Sequence, residues 1–537
     1  MNRRSSLKLL CSAVLAAATP ITFTGATEAK PAKATRVETR AGPVVGRIYN
    51  GLSVFLGLRY GQDTATARFQ PPVKPKPWRA PYMADTYRAA SPQSGTADAY
   101  GQSEDCLFLN VWTPAADGKR RPVMVYIHGG AYNGGSGSSP LYDGTGLATR
   151  GDVVVVTVNH RLNVFGYLYL ARLEKQVTGK AGPLAWSGNC GQLDLHLALE
   201  WVRDNIAAFG GDPDCVMVFG QSGGGAKIAT MMATPAAKGL FHRAATMSGQ
   251  QVTASGPGNA TLRAITFLEK LGLKPDADGL ATVQTLPMST LVAGLKAVDP
   301  VIGSGGVYMG PVLDETVLCR HPFWPDAPAQ SHDIPMMIGN THDETRAFLG
   351  GDPHNFKLTW DDLPAKLPKE YRVDIDPYLV IETYRKLYPA MSPSDVFFAA
   401  TTAGRSWRGA IEEAEARART GAATYTYQVD WKSPRDGGRR GAPHTIDIPL
   451  VFRTTATPDS ISGDTPDARR MADLFSDAFI AFVRTGSPQT TALPQWTPYS
   501  LAKRETMVMD LTPQLVNDPR GAERELFSKV PFIQQGT

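Results

Sequence analysis

Ser222 lies in Gly220-Gln221-Ser222-Gly223-Gly224, directly after the compact apolar run Val216-Met217-Val218-Phe219 and ahead of a helix-compatible stretch, Ala226 to Thr234. A G-x-S-x-G segment between a strand and a helix predicts a strained turn that projects the serine hydroxyl. Glycines suit its flanks because neighbouring side chains would collide there, and a helix start behind the hydroxyl favours developing negative charge. Serine is a weak nucleophile at neutral pH. It needs an imidazole base, and the base needs an acid to orient it.

Nine histidines compete for the base. His444 stands out in Gly441-Ala442-Pro443-His444-Thr445-Ile446-Asp447-Ile448-Pro449, a loop before an apolar turn. His128 precedes Gly129-Gly130 and suits loop architecture better. Candidate acids are Asp343 and Glu344, which follow the apolar run Ile334 to Ile338. An acid beyond a strand end can reach a shared active-site edge, or it can simply cap a helix. Gly129-Gly130-Ala131, after the run Arg121 to Ile127, offers backbone N–H groups that can join that of Gly223 around an oxyanion.

The elements that must position these residues alternate. Arg121 to Ile127 and Val153 to Val158 are short, β-branched and almost wholly apolar, as expected of strands covered on both faces. Gln192 to Phe209 has a helical period that Gly210-Gly211 stops. Trp407 to Arg419 and Met471 to Phe482 read as helices, and Thr424 to Val429 as a strand. The alternation predicts a three-layer α/β domain with right-handed crossovers. Leu262 to Gly303 reads as short helices and loops. No repeat and no clean linker divides residues 30–537, so one catalytic domain is expected.

Composition narrows the function classes. The chain has 537 residues, 42% hydrophobic and 20% charged, with a formal charge of +5, 52 Gly and 41 Pro. These are globular values, and no dense Lys/Arg stripe with interleaved aromatics suggests nucleic-acid binding. Met1 to Lys8 is basic, Leu9 to Phe23 is mostly apolar or small, and Thr27-Glu28-Ala29 offers a cleavage site. Residues 1–29 therefore read as an export signal to the periplasm or beyond. Arg3-Arg4-Ser5-Ser6-Leu7-Lys8 resembles a twin-arginine signal with Ser6 in place of the usual aromatic residue. No later run is long and apolar enough to span a bilayer. Cys106, Cys190, Cys215 and Cys319 would remain, without metal-ligand spacing, as one disulfide or as buried thiols.

Several longer segments carry a family resemblance. They are Ser103-Glu104-Asp105-Cys106-Leu107-Phe108-Leu109-Asn110-Val111, Asn189-Cys190-Gly191-Gln192-Leu193-Asp194, Ala207-Ala208-Phe209-Gly210-Gly211-Asp212-Pro213 and Phe219 to Gly225. In this order they resemble the type-B carboxylesterases, the cholinesterase-like branch of the α/β-hydrolases, from about Val44 to about Pro498. The resemblance implies a large central, mostly parallel sheet with helices on both faces and insertions around an active-site gorge. It implies cleavage of a small-molecule carboxylic ester through an acyl-enzyme, with no metal or organic cofactor. Ser222, Glu344 and His444 take the nucleophile, acid and base positions, in that superfamily's chain order. Gly130, Ala131 and Gly223 take the oxyanion positions, and Ser248 and Asp447 the supporting ones. Adhesion modules of the same branch commonly lack a catalytic residue, whereas this chain keeps the set.

The departures bear on substrate. Gln221 stands where many relatives have Glu, which removes an attraction for cationic alcohols and a repulsion of anionic acyl groups. Gly223 replaces a common Ala, and Ala131 a common third Gly, whose N–H stays usable if the loop avoids positive φ. No cysteine between Cys11 and Cys106 can complete the usual N-terminal disulfide. Tyr132 and Trp186 are candidate pocket aromatics. Arg161, Arg439 and Arg440 are possible readers of a substrate carboxylate, although Arg161 suits a structural role and Arg439 and Arg440 a solvated loop. Bulky or acidic esters are the expected substrates, and tricarballylate side-chain esters, as for fumonisin esterases, a narrower case.

Overall fold

A computed structural model describes residues 34–95, 99–458 and 460–536. The expected export segment, 1–29, lies outside the described residues. Thirteen strands join one sheet. They are β1 (Ala34–Thr39), β2 (Gly42–Tyr49), β3 (Leu52–Arg59), β4 (Tyr82–Met83), β5 (Phe108–Thr113), β6 (Arg121–Ile127) and β7 (Val154–Val158). There follow β8 (Gly211–Gln221), β9 (Arg243–Met247), β10 (Met336–Thr341), β11 (Thr424–Val429), β12 (Glu505–Met509) and β13 (Gln514–Asn517). Their order is β1-β2-β3-β5-β7-β6-β8-β9-β10-β11-β12-β13, with β4 beside β2. From β7 to β12 every neighbouring pair is parallel. Antiparallel strands extend the block at both ends, β1, β2, β3 and β5 on one side and β13 on the other, while the short β4 lies parallel to β2.

The parallel block is apolar on both faces because helices cover both. Along β6, Val123, Val125 and Ile127 enter one core with Leu195, Leu199 and Val202 of the helix Cys190–Asn205. The alternate residues, Met124 and Tyr126, enter the opposite core with Met471, Phe475 and Phe479 of the helix Pro466–Thr485. This is the period-two geometry of a strand feeding two layers. Burying a large apolar side chain on either side contributes about 1.5–3 kcal/mol, so a charge in such a run would be strongly destabilising.

Two further clusters lie off the sheet. One joins Tyr132, Phe165 and Tyr167 to Phe267 and Leu268 of the helix Pro257–Lys270. The other packs Leu363, Leu367, Val380, Tyr384 and Phe398 with Trp407 and Phe527. Among the described residues Cys106, Cys190, Cys215 and Cys319 are free thiols, so the pairing left open by the sequence is not used. Among the described residues no helix is long and apolar enough to cross a membrane.

Candidate active site

Strand β8 ends at Gln221, and the helix Gly223–Met232 begins one residue after Ser222. Between them Ser222 adopts φ 57°, ψ −125°, a conformation that costs on the order of 1–3 kcal/mol outside glycine. Its surroundings enforce it. A Cβ at Gly224 would stand 1.9 Å from the Ile127 carbonyl oxygen, and one at Gly249 would stand 2.0 Å from that of Ser222. The Ser222 N–H is held by the Met247 carbonyl at 2.7 Å. The serine therefore faces a cavity of about 540 Å³, lined also by Gly130, Ala131, Gly223 and His444.

The candidate acid and base come from two loops that are tied together. Asp343 receives the Ala442 N–H at 3.0 Å through its carboxylate and donates its own N–H to the Ala442 carbonyl at 2.9 Å. Burial would raise the Asp343 pKa, but His342, the Ala442 N–H and Arg346 hold it down at about 2. Asp343 is thus the anchor, and the next residue, Glu344, reaches His444. A Glu344 oxygen pairs with His444 Nδ1 at very short range, with both side chains buried. The other oxygen accepts the Thr341 N–H at 2.9 Å and an Asn340 amide N–H at 3.3 Å. Burial opposes ionisation of Glu344, yet His444, Ser248 and the Thr341 N–H together leave its pKa lowered. Ser248 sits close enough to contribute to that field, but its Oγ makes no well-formed hydrogen bond. Asp447, fully buried nearby, behaves oppositely. Burial and then the Glu344 charge push it up to about 7, while Tyr427 donates its hydroxyl at 2.9 Å.

With Nδ1 committed to Glu344, the remaining ring nitrogen of His444 is the acceptor, the tautomer a general base requires. That Nε2 lies 3.0 Å from the side-chain nitrogen of Gln221. The sequence had suggested Gln221 as a charge change next to the nucleophile. Its amide is in fact a direct partner of the imidazole, at the ring nitrogen turned away from Glu344.

The N–H groups of Gly130, Ala131 and Gly223 meet no acceptor among the described residues. Ala131 has φ 52°, so the loop does not avoid positive φ as the sequence reading required. The conformation costs roughly 1–2 kcal/mol for a non-glycine residue but does not remove the donor. Lys227 offsets it. This wholly buried lysine donates from Nζ to the Ala131 carbonyl at 2.8 Å and the His128 carbonyl at 3.3 Å, with the Tyr132 ring 5.4 Å away. Burial pushes its pKa down to about 7. Sequence reading missed Lys227. Its only signal was one cation among Ala226, Ile228, Ala229, Met231 and Met232.

Other expectations separate. Tyr132 lines the cavity, with its hydroxyl donating to Gln251 at 2.8 Å. Trp186 does not line it. It lies in the 3-10 turn Pro183–Asn189, whose inward positions are Leu184, Ser187, Gly188 and Asn189, leaving the indole 37% exposed. Arg161 forms a buried ion pair with Asp194, Arg440 pairs with Asp436, and Arg439 lies over Phe356. None of the three enters the cavity. Arg372 and Arg405, which the sequence reading did not select, do.

A serine on a strained strand–helix turn, faced by a carboxylate-bound imidazole at the end of a parallel sheet, defines an α/β-hydrolase. Residues 33–527 match the carboxylesterase family, and the chain belongs to it. It is 34% identical to the para-nitrobenzyl esterase of Bacillus subtilis over 499 residues, covering 91% of this chain and 97% of that one. It is 32% identical to the fumonisin B1 esterase of Sphingopyxis macrogoltabida over 479 residues, 85% of this chain and 83% of that one. A crystal structure of a Geobacillus stearothermophilus carboxylesterase superposes with TM-score 0.80 at 34% identity, covering 92% of this chain and 100% of that one. The protein is a carboxylic-ester hydrolase.

Proposed function

We propose that Ser222 carries the acyl group during ester hydrolysis, with His444 as general base and acid and Glu344 as its buried counter-charge. The observation that carries this reading is the Glu344–His444 pair, which leaves the other imidazole nitrogen, shared with the Gln221 amide, beside the cavity that Ser222 also faces. In the first half-reaction Gln221 yields Nε2 to the Ser222 hydroxyl. His444 takes that proton as Oγ bonds to the ester carbon, and the carbonyl oxygen becomes an oxyanion held by Gly130, Ala131 and Gly223. Collapse expels the alcohol, which leaves with the proton from His444. Water then attacks the acyl-serine by the same steps, releasing the acid and restoring serine. Glu344 remains ionised throughout, and its charge offsets that of the imidazolium.

Bulky or acidic esters fit this reading best. The cavity is large, and the residue before the nucleophile is an uncharged amide. An ester panel measured with the native enzyme and Ser222→Ala tests the proposal. Turnover that disappears in the variant is the expected outcome, and turnover that persists in Ser222→Ala rules the mechanism out. We also propose export, on the basic, apolar and small-x-small order of residues 1–29. Fractionation of cells producing the full chain should give a shortened protein outside the cytoplasm, whereas a full-length cytoplasmic protein contradicts it.

A further inference from the structure

The catalytic cavity continues into an outer groove of about 690 Å³, and the two share Tyr308, Arg372, Arg405, Gln534 and Gln535. Two guanidinium groups thus stand where a substrate would pass from groove to nucleophile. We infer that Arg372 and Arg405 form a carboxylate-binding subsite, so that the preferred ester carries a free carboxylate away from its scissile bond. The inference rests on the acyl-enzyme reading above and assigns its substrate class.

Arg372, half-buried where cavity and groove meet, is partnered unlike the fully buried arginines. Arg161, Arg263 and Arg520 each pair with a carboxylate, and Arg417 is tied to Thr424 and to the Ile334 carbonyl. Among the described residues no carboxylate reaches ion-pair distance of Arg372. Among the same residues its one side-chain hydrogen bond runs from Nη2 to the neutral Gln535 amide oxygen at 3.0 Å. A guanidinium has five N–H donors in a fork that matches a carboxylate, so most of them remain open to the groove for a ligand. Burial, and then the like charge of Arg405, disfavour its charged form, and an arriving anion would relieve both. The backbone is already fixed. Its N–H donates to Gly404 at 2.9 Å, and its carbonyl accepts from Ile533 at 2.7 Å.

Arg405 lies in a π-helical turn, Ala403–Trp407, set within the helical run from Pro393 to Thr420. Such turns alter the facing of nearby side chains and recur at functional sites. Its guanidinium rests 5.0 Å above the Phe348 ring, and that ring lies 4.6 Å from the His444 ring. One aromatic ring therefore separates this cation from the base, a spacing suited to an anion several bonds from the reacting carbon. Glu370 is the competing charge. It reaches Arg405 only at 3.6 Å, with both side chains partly exposed, and leaves Arg372 untouched. On the groove's outer wall, Lys369 and Asp374 are exposed and opposite in sign.

Two ester pairs test the inference. One is 4-nitrophenyl hydrogen adipate against 4-nitrophenyl hexanoate. The other is the hexanoyl ester of 4-hydroxybenzoate against that of 4-hydroxybenzamide. The pairs place the carboxylate on the acyl and the alcohol side respectively. In at least one pair the native enzyme should favour the anion by tenfold or more in kcat/KM, mainly through KM. Arg372→Gln and Arg405→Gln should each reduce that ratio several-fold, a readout that a general loss of activity does not move. Ratios below tenfold in both pairs, or a ratio that neither variant reduces, overturn the subsite. Should both variants fail to fold, inhibition of native hexanoate hydrolysis decides. Adipate should inhibit at least tenfold better than adipamide, and equal inhibition refutes the inference. Turnover that survives Ser222→Ala would instead strike the acyl-enzyme reading beneath it.

Discussion

Replacing Gly223 by alanine tests the oxyanion geometry with one methyl group. Its Cβ would lie 2.1 Å from the Ala131 carbonyl oxygen and 2.5 Å from both the carbonyl carbon and Cα of that residue. Real Cβ contacts essentially never fall under 3.0 Å, so the elbow and the loop must separate by about 1 Å. The atoms in the way are backbone and cannot rotate aside. Ala131 cannot retreat freely either, because Lys227 holds the same carbonyl at 2.8 Å. Oxyanion donors act within about 2.7–3.1 Å, so a 1 Å separation forfeits one of them, and such losses cost about 2.7–4 kcal/mol. Gly223→Ala should therefore lower kcat about 10²- to 10³-fold on a neutral chromogenic ester. Titration of the active serine with a phosphonate would show that the protein remains folded. Alanine is common at this position in the resembling family, which sharpens the test. A kcat within threefold of native would mean that the Ala131 carbonyl does not occupy the space assigned to it.

Three other outcomes follow from the same geometry. Lys227→Met removes both hydrogen bonds that pin the oxyanion loop, so kcat should fall about tenfold or more with KM changed much less; a loss below twofold would make the lysine a bystander. Gln221→Glu puts a carboxylate beside His444 Nε2, which favours the imidazolium, so the acidic limb of the kcat/KM profile should move up by about one pH unit; an unmoved limb refutes the contact. Asp447 has a folded pKa raised to about 7 from 3.8, so its stabilising effect is complete below the unfolded value and is lost as pH rises through about 7. That loss is about 4 kcal/mol and runs between about pH 4 and pH 7, so Asp447→Asn should flatten the fall in unfolding free energy over that window, and an unchanged slope in denaturant melts contradicts it.

The parallel strands were legible because a strand covered on both faces must be apolar at nearly every position, as in Val154 to Val158, where Thr157 is the one exception. Thr424 to Val429 fell where expected, whereas the strand anticipated at Ile334 to Ile338 runs from Met336 to Thr341, since apolar residues also fill the turn before it. The antiparallel strands Ala34 to Arg59 carry exposed and glycine positions that weaken their pattern. The elbow was legible because close backbone contacts dictate glycine on either side of Ser222. Lys227, Arg372 and Arg405 were not, because a lone cation in a sequence is usually solvated. Only the turn of the helix after Ser222 sets Lys227 under the Ala131 carbonyl, and only the π turn at Ala403–Trp407 and the segment near Gln535 bring Arg405 and Arg372 to the cavity. Trp186 failed for the opposite reason: closeness in sequence to the site does not decide which way a residue faces.

The central claim is a covalent bond between substrate and Ser222, and rapid acid quenching of the enzyme during turnover of a slow ester, followed by peptide mass spectrometry, tests it most directly. The account predicts an acyl mass on the peptide containing Ser222, absent from Ser222→Ala and accumulating in His444→Ala far more slowly than in the native enzyme. An acyl mass on any other residue, or full turnover with none detected at Ser222, would contradict it.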